Sequence, residues 1–169
     1  MSRSESPSVL EFGSHVGINL RMLSDALDVR NLRMYAVEPN AEAFRFMQEK
    51  LPNLGGLLGD DAAYVNTVGF PGGQVDVSFA NSVFYCIEAE RAKPVIEKMC
   101  ATSEVVVIGD SMDNLGGERS QVNLEPFYFK HPYELWLRDF GFVVSRVELL
   151  ANAQPQLNGY VVAHRSRDL

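Results

Sequence analysis

The sequence predicts a three-layer α/β domain: a seven-stranded, mostly parallel sheet with helices on both faces and an antiparallel C-terminal strand. Three observations carry this. Short β-branched runs alternate with stretches in which apolar residues recur at helical spacing. The turns after the strands are rich in glycine and acidic residues. Only Ala151 to Asn158 separates the last two apolar runs, too short a link for a helical crossover, so those strands pair antiparallel.

Ser8 to Phe12 reads as the first strand, ending at Gly13. From Gly17 to Leu27, Ile18, Met22, Leu23, Ala26 and Leu27 recur at helical spacing. Leu32 to Val37 is a second strand, stopped by Glu38-Pro39-Asn40. A helix follows from Ala41 to Leu51, with Ala43, Phe44, Phe46, Met47 and Leu51 as its apolar positions, and Pro52 ends it. Leu54 to Leu58 is a weaker strand closed by Gly59-Asp60-Asp61, and Val75 to Ala80 is the next. Glu88 to Ala101 reads as a helix in which Pro94 predicts a kink or a later start. Glu104 to Ile108 is the most β-like run. His131 to Phe140 is a helix, and Val143 to Leu150 and Tyr160 to His164 are the closing strands. Asp110 to Lys130 has no clear period, and a segment that long in a domain of this size suggests a lid.

The 169 residues fit one domain, 1–169, with a polar tail over residues 1–7. A chain of this length buries roughly two-thirds of its unfolded surface and needs no disulfide or metal staple. Fifteen basic residues against 22 acidic ones give a net charge of −7, which argues against broad nucleic-acid or anionic-membrane binding. Cys86 and Cys100 form no zinc spacing and no disulfide framework, so no metal is expected and a reducing cytoplasm is the default. Residues 1–8 carry no apolar run of signal-peptide type, and no apolar run is long enough to cross a bilayer.

The functional signal lies at the strand ends. Glu11-Phe12-Gly13-Ser14-His15-Val16-Gly17-Ile18-Asn19 joins the first strand to the first helix. Glycines there let the backbone turn sharply and approach a ligand, and the helix N-terminus favours negative charge. Glu38 closes the second strand, where a carboxylate accepts hydrogen bonds from both ribose hydroxyls. Asp60-Asp61 close the third strand. Asp76 opens the fourth, with Asn81-Ser82 at its carboxyl end.

In these stretches, taken in order, the chain resembles the class I S-adenosylmethionine-dependent methyltransferases, which have a Rossmann-like fold. The matching segments are Val9 to Gly17, Tyr35 to Asn40, Leu58 to Ala62 and Val75 to Ser82, and the likeness runs from residue 8 to about residue 164. The resemblance implies S-adenosyl-L-methionine as cofactor and methyl transfer to a small-molecule or glycan-like acceptor. It places Glu11, Gly13, Ser14, His15, Gly17 and Asn19 around the methionine part, and Glu38, Pro39 and Asn40 at the ribose. Asp60, Asp61 and Ala62 would flank the adenine, with Asn81 and Ser82 near the reacting methyl. Family members usually carry N-terminal elements that close the pocket; only seven residues precede the first strand here, so the 110–130 segment, a homodimer mate or a partner chain is expected to do so.

Two positions depart from the family pattern. His15 stands where the middle glycine of the turn is usual, and it either contacts the ligand or simply tolerates a positive φ. Cys86 stands where histidine is often found, and is expected to be a small buried filler. If the acceptor must lose a proton, His131 and Tyr128 are the candidate bases, with helix capping as the alternative role for His131. Trp136 is expected in the core and His164 at an edge or surface. The rival functions are a non-catalytic scaffold or activating subunit that keeps the fold, and a nicotinamide-dependent oxidoreductase. The latter expects G-x-G-x-x-G, which His15 and Ile18 break.

Overall fold

The computed structural model describes residues 6–27, 31–51, 53–111, 121–122, 129–149 and 159–166. Strand β1 (Ser8–Phe12) is buried along its whole length, as befits a central parallel strand, and it carries the polar Ser8 and the acid Glu11 into the interior with Val9, Leu10 and Phe12. On one side lie β2 (Arg33–Glu38) and β3 (Leu54–Leu58). On the other lie β4 (Val75–Asn81) and β5 (Ser103–Asp110), followed by β9 (Gly159–Arg165) and β8 (Phe142–Leu149). The order is β3-β2-β1-β4-β5-β9-β8. β1 to β5 run parallel, and β9 is inserted antiparallel between β5 and β8. A separate two-stranded ladder pairs β6 (Gln121–Val122) with β7 (Phe129–Lys130). The predicted mostly parallel seven-stranded sheet is present.

Alternation along β1 divides the interior in two. Leu10 and Phe12 face a core shared with α3 (Asp61–Asn66), α4 (Ala89–Thr102) and α5 (Tyr133–Asp139), where Val95, Ile96, Met99 and Trp136 are buried. Val9 faces a smaller core under α1 (Ile18–Leu27) and α2 (Ala41–Lys50), built on Leu20, Phe44 and Met47. A fully buried aliphatic side chain contributes roughly 1.5–3 kcal/mol, so α4, with Val95, Ile96 and Met99 at helical spacing, is the most strongly anchored helix.

Several elements differ from the sequence reading. α3 and a 3-10 turn at Phe84–Cys86 were not anticipated. α3 starts because the Asp60 side chain accepts the Ala63 N–H at 2.9 Å, an N-cap that six residues of weak period conceal. α4 begins at Ala89 with Pro94 inside it, and α5 begins at Tyr133 rather than at His131. α1 is present, but its apolar stripe is mostly exposed: Ile18, Met22 and Leu27 are more than half exposed, and the buried residue is Leu20. Asp76 lies at the opposite end of β4 from the expected site. Its carboxylate accepts the Ser8 N–H and hydroxyl at 2.7 and 2.8 Å, tying two strand starts together. Trp136 is in the core and His164 is exposed, as expected. No described helix is long and apolar enough to cross a membrane.

Candidate functional site

Parallel strands present their carboxyl ends at one sheet edge, and here the chain order reverses between β1 and β4. Open α/β sheets bind ligands at such a point. The turns after β1 to β4, and the end of β5, meet there.

The turn after β1 folds back on β2. Gly13 and Ser14 donate their N–H groups to Val37 O at 2.9 and 3.2 Å, and the Ser14 hydroxyl donates to the same oxygen. Gly13 and Gly17 have φ of 75° and 77°, a region that favours glycine. Space excludes larger residues too: a Cβ on Gly13 would lie 2.5 Å from Val83, and one on Gly17 would lie 2.7 Å from Met47. His15 adopts φ 48° without being glycine and keeps its ring exposed. Its backbone N–H donates to Glu38 Oε2 at 2.7 Å, so this departure from the family pattern leaves the turn closed on the acid.

Glu38 is 6% exposed, and its other oxygen accepts the Asn40 N–H at 2.9 Å. Asn40 caps α2 by accepting from Glu42 and Ala43, so Glu38 is not the cap. A carboxylate has about four acceptor directions, and two remain open here for hydroxyl donors. Pro39 beside it is exposed.

Glu11 sits on the α1 side of β1. Asn19 donates to its Oε1 at 2.7 Å, while Oε2 is buried without a hydrogen-bond partner. Burial pushes its carboxyl up to about 8, the Asn19 bond opposes this, and the nearby Glu38 charge adds to it. Near neutral pH Glu11 therefore holds its proton. An orphaned acid next to a fixed carboxylate suits a ligand carrying hydroxyls and a cation.

At the end of β3, Asp60 caps α3, Asp61 is buried and Ala62 is exposed. The Asp61 carboxylate takes two bonds from Arg91, that from Nε at 2.8 Å, and this bonding holds its pKa below the usual range. At the end of β4, Ser82 adopts φ 56° and donates its N–H to Gly109 O at 2.7 Å. Asn81 Oδ1 is buried without a partner. Asp110, which the sequence reading used only as a loop boundary, organises this corner. Its Oδ2 accepts the N–H groups of Val83, Phe84 and Tyr85, and Oδ1 accepts that of Ser111. Burial nevertheless pushes its carboxyl up to about 7.

Beside Asn81 opens a cavity of about 470 Å³ between α1 and the sheet, lined by Asn19, Met22, Phe79, Val107 and Tyr160 among others. Only its two asparagines were anticipated. Met22, Leu23 and Ala26 of its lining belong to the apolar stripe of α1 that recurs at helical spacing in the sequence.

The two candidate bases are placed differently. Tyr128 lies outside the described residues, as do 112–120 and 123–127 of the expected lid. His131 is 3% exposed, and its Nε2 lies 3.0 Å from Phe84 O and 2.9 Å from Ile87 O. Two carbonyl acceptors require a proton on Nε2, which leaves that nitrogen no lone pair for a substrate proton. Burial also lowers its pKa. Its ring packs among Phe129, Tyr133 and Trp136 with centroids 5.2–6.1 Å away, and Pro132 holds the cap position, which corrects the helix-cap reading. Cys86 is exposed rather than a buried filler, and desolvation together with Asp110 raises its pKa, so it is no ready nucleophile. No group of three or more metal-ligating side chains gathers among the described residues.

No protein-family model and no curated protein sequence matches the chain. Solved structures do. Magnesium protoporphyrin IX methyltransferase from Synechocystis PCC 6803, with S-adenosylmethionine bound, superposes with a TM-score of 0.70 at 15% identity over 95% of this chain and 71% of that one. The 1,6-didemethyltoxoflavin-N1-methyltransferase of Burkholderia thailandensis, holding its substrate and S-adenosylhomocysteine, gives 0.72 at 13% identity over 95% and 72%. An S-adenosylmethionine-dependent methyltransferase of Aquifex aeolicus gives 0.63 at 19% identity over 95% and 84%. The fold is that of the class I S-adenosylmethionine-dependent methyltransferases.

Proposed function

We propose that this chain, built on the class I methyltransferase fold, binds S-adenosylmethionine and transfers its methyl group to a small molecule. The observation that carries the reading is Glu38: a nearly buried carboxylate at the end of β2, held by the His15 and Asn40 N–H groups against a left-handed glycine turn. The residues fit the cofactor. Glu38 would accept the ribose hydroxyls, and the Gly13 to Gly17 turn would run under the methionine part. Glu11, with one oxygen unpartnered, would meet the ammonium group. Asp60, Asp61 and Ala62 border the adenine position, and Asn81 and Ser82 the methyl. The cofactor supplies an electrophilic methyl on a sulfonium. That methyl would be open to in-line displacement by a lone pair of the acceptor, with the sulfur as leaving group. The chain's part is positioning, which alone is a large share of such a displacement.

The test is calorimetric titration with S-adenosylmethionine, S-adenosylhomocysteine and NAD. Charge-assisted hydrogen bonds are worth about 1.5–3 kcal/mol each, so losing one should weaken S-adenosylhomocysteine about ten- to a hundredfold, and Glu38→Ala, which removes both, should weaken it more than about a hundredfold. Unaltered affinity would remove the main support for the reading, and tight NAD binding in its place would favour the oxidoreductase. Cofactor binding without methyl transfer to any acceptor would favour a scaffold.

A further inference from the structure

Half of the sheet is covered on one face only by described residues. On β5 and β9, Val106, Ile108, Val161 and Ala163 point toward the helices of the larger core and are at most 2% exposed. Their alternating neighbours on the opposite face, Val107, Tyr160 and Val162, are only half-buried, as are Val77 and Phe79 of β4. α1 borders this face with Met22, Leu23 and Ala26, and Met22 is 63% exposed. The cavity between them, about 470 Å³, is of the size that takes a small organic molecule.

Its chemistry restricts the occupant. No charged side chain is among the residues that line it, and burying an uncompensated charge costs heavily, so the body of the ligand is neutral. The walls are chiefly Met, Leu, Val and Phe, which give a polyhydroxylated molecule nothing in exchange for the water it would lose. At the sheet edge the cavity ends on Asn81, whose Oδ1 is buried and unpartnered. Gly109 leaves that oxygen room: a Cβ there would lie 2.8 Å from it. A buried orphan acceptor calls for one donor. Asn81 also belongs to the edge where the transferred methyl is placed, so the donor sits beside the reacting carbon. Resting on the methyltransferase reading, we infer that this cavity holds the methyl acceptor: an uncharged, largely apolar small molecule whose O–H or N–H donates to Asn81, and not a glycan. Continuity with the Asn81 corner, and an orphaned polar atom at its inner end, favour a small molecule over a protein segment.

Three probes test this on the full chain by calorimetry: 2-naphthol, naphthalene-2-sulfonate and maltose. The inference expects saturable one-to-one binding of 2-naphthol, at least about tenfold tighter than that of the sulfonate, and none of maltose. Ala26→Phe fills the cavity from an exposed position, and Met22→Glu places a charge at its rim. Each should weaken 2-naphthol about tenfold or more while S-adenosylhomocysteine affinity stays unchanged. Equal binding of the sulfonate or of maltose overturns the inference, as does a 2-naphthol affinity indifferent to both variants. A dimer broken by Ala26→Phe with 2-naphthol unaffected would give the face to a second copy of the chain. S-adenosylhomocysteine on the same samples reports separately on the cofactor reading. If it binds and 2-naphthol does not, only the acceptor inference fails. If 2-naphthol binds and it does not, the cavity loses its assignment to an acceptor.

Discussion

The Glu11→Gln variant tests the electrostatics of the site most directly. Glu11 ionises near 4.5 in an unfolded chain, but burial raises it to about 8 in the fold. Between those values the native protein holds a proton that the unfolded chain has released, so stability falls as pH rises. The contribution is fully present below about pH 4.5 and is lost progressively up to about pH 8. At 1.36 kcal/mol per pH unit, the accumulated loss is about 1 kcal/mol at pH 5 and about 3 kcal/mol at pH 7. Gln keeps the shape and the acceptor that Asn19 uses but cannot ionise, so it escapes the loss. In a domain of this size that is about 6–12 °C in Tm at pH 7 and about 2–4 °C at pH 5. Asp110, itself raised to about 7, adds the same slope to both proteins, so the difference isolates Glu11. The assay is scanning calorimetry of both proteins at pH 5, 6 and 7. Parallel Tm-against-pH curves for the two would show that Glu11 is ionised in the fold, and the reasoning would fail.

The same proton should appear in binding. A ligand ammonium against Glu11 lowers its pKa, so S-adenosylhomocysteine should release about one proton at pH 7, read as a buffer-dependent binding enthalpy that Glu11→Gln abolishes. Gly17→Ala must take φ 77° with its Cβ 2.7 Å from Met47, and should cost about 1–3 kcal/mol in denaturant unfolding; a neutral result would mean the turn relaxes freely. His131→Ala removes a buried ring and the donor to two carbonyls, for a loss of about 2–5 kcal/mol, and His131→Phe should recover part of it. A loss under about 1 kcal/mol with turnover abolished would instead return His131 to the chemistry. Asp61→Asn breaks a pair whose Arg91 is 57% exposed, so solvent screening should keep the loss of Tm at pH 7 small. Because the Asp61 pKa is depressed, the wild type loses that contribution only as pH falls below the usual carboxylate range, and acid titration of the two proteins should converge there.

Much of the fold was legible because its determinants are local. The runs over β1, β2, β4 and β5 are short, rich in apolar residues and end in turn residues, β5 with Val105 to Ile108 being the most β-branched, and α2 shows its period between Asn40 and Pro52. Parallel strands bring their carboxyl ends to one edge whatever the details, so Glu38, Gly13, Gly17 and Asn81 could be placed together before any coordinates. The remainder depends on partners distant in sequence. Periodicity reports that a stripe of α1 is apolar, not whether anything covers it, and Met22 and Ile18 are exposed. Asp76 and Asp110 bracket strands in the same way in one dimension. One ties strand starts through Ser8, and the other gathers three N–H groups of the turn that follows β4. The engagement of His131 is of the same kind: Phe84 O and Ile87 O, 47 and 44 positions earlier in the chain, lie within hydrogen-bond distance of its Nε2. The sequence by itself determined the strand order's chemistry-bearing edge, through local backbone preference and turn composition. Only the tertiary structure decided which polar groups there are satisfied and which remain open, because desolvation and hydrogen-bond pairing are set by neighbours that folding alone brings together.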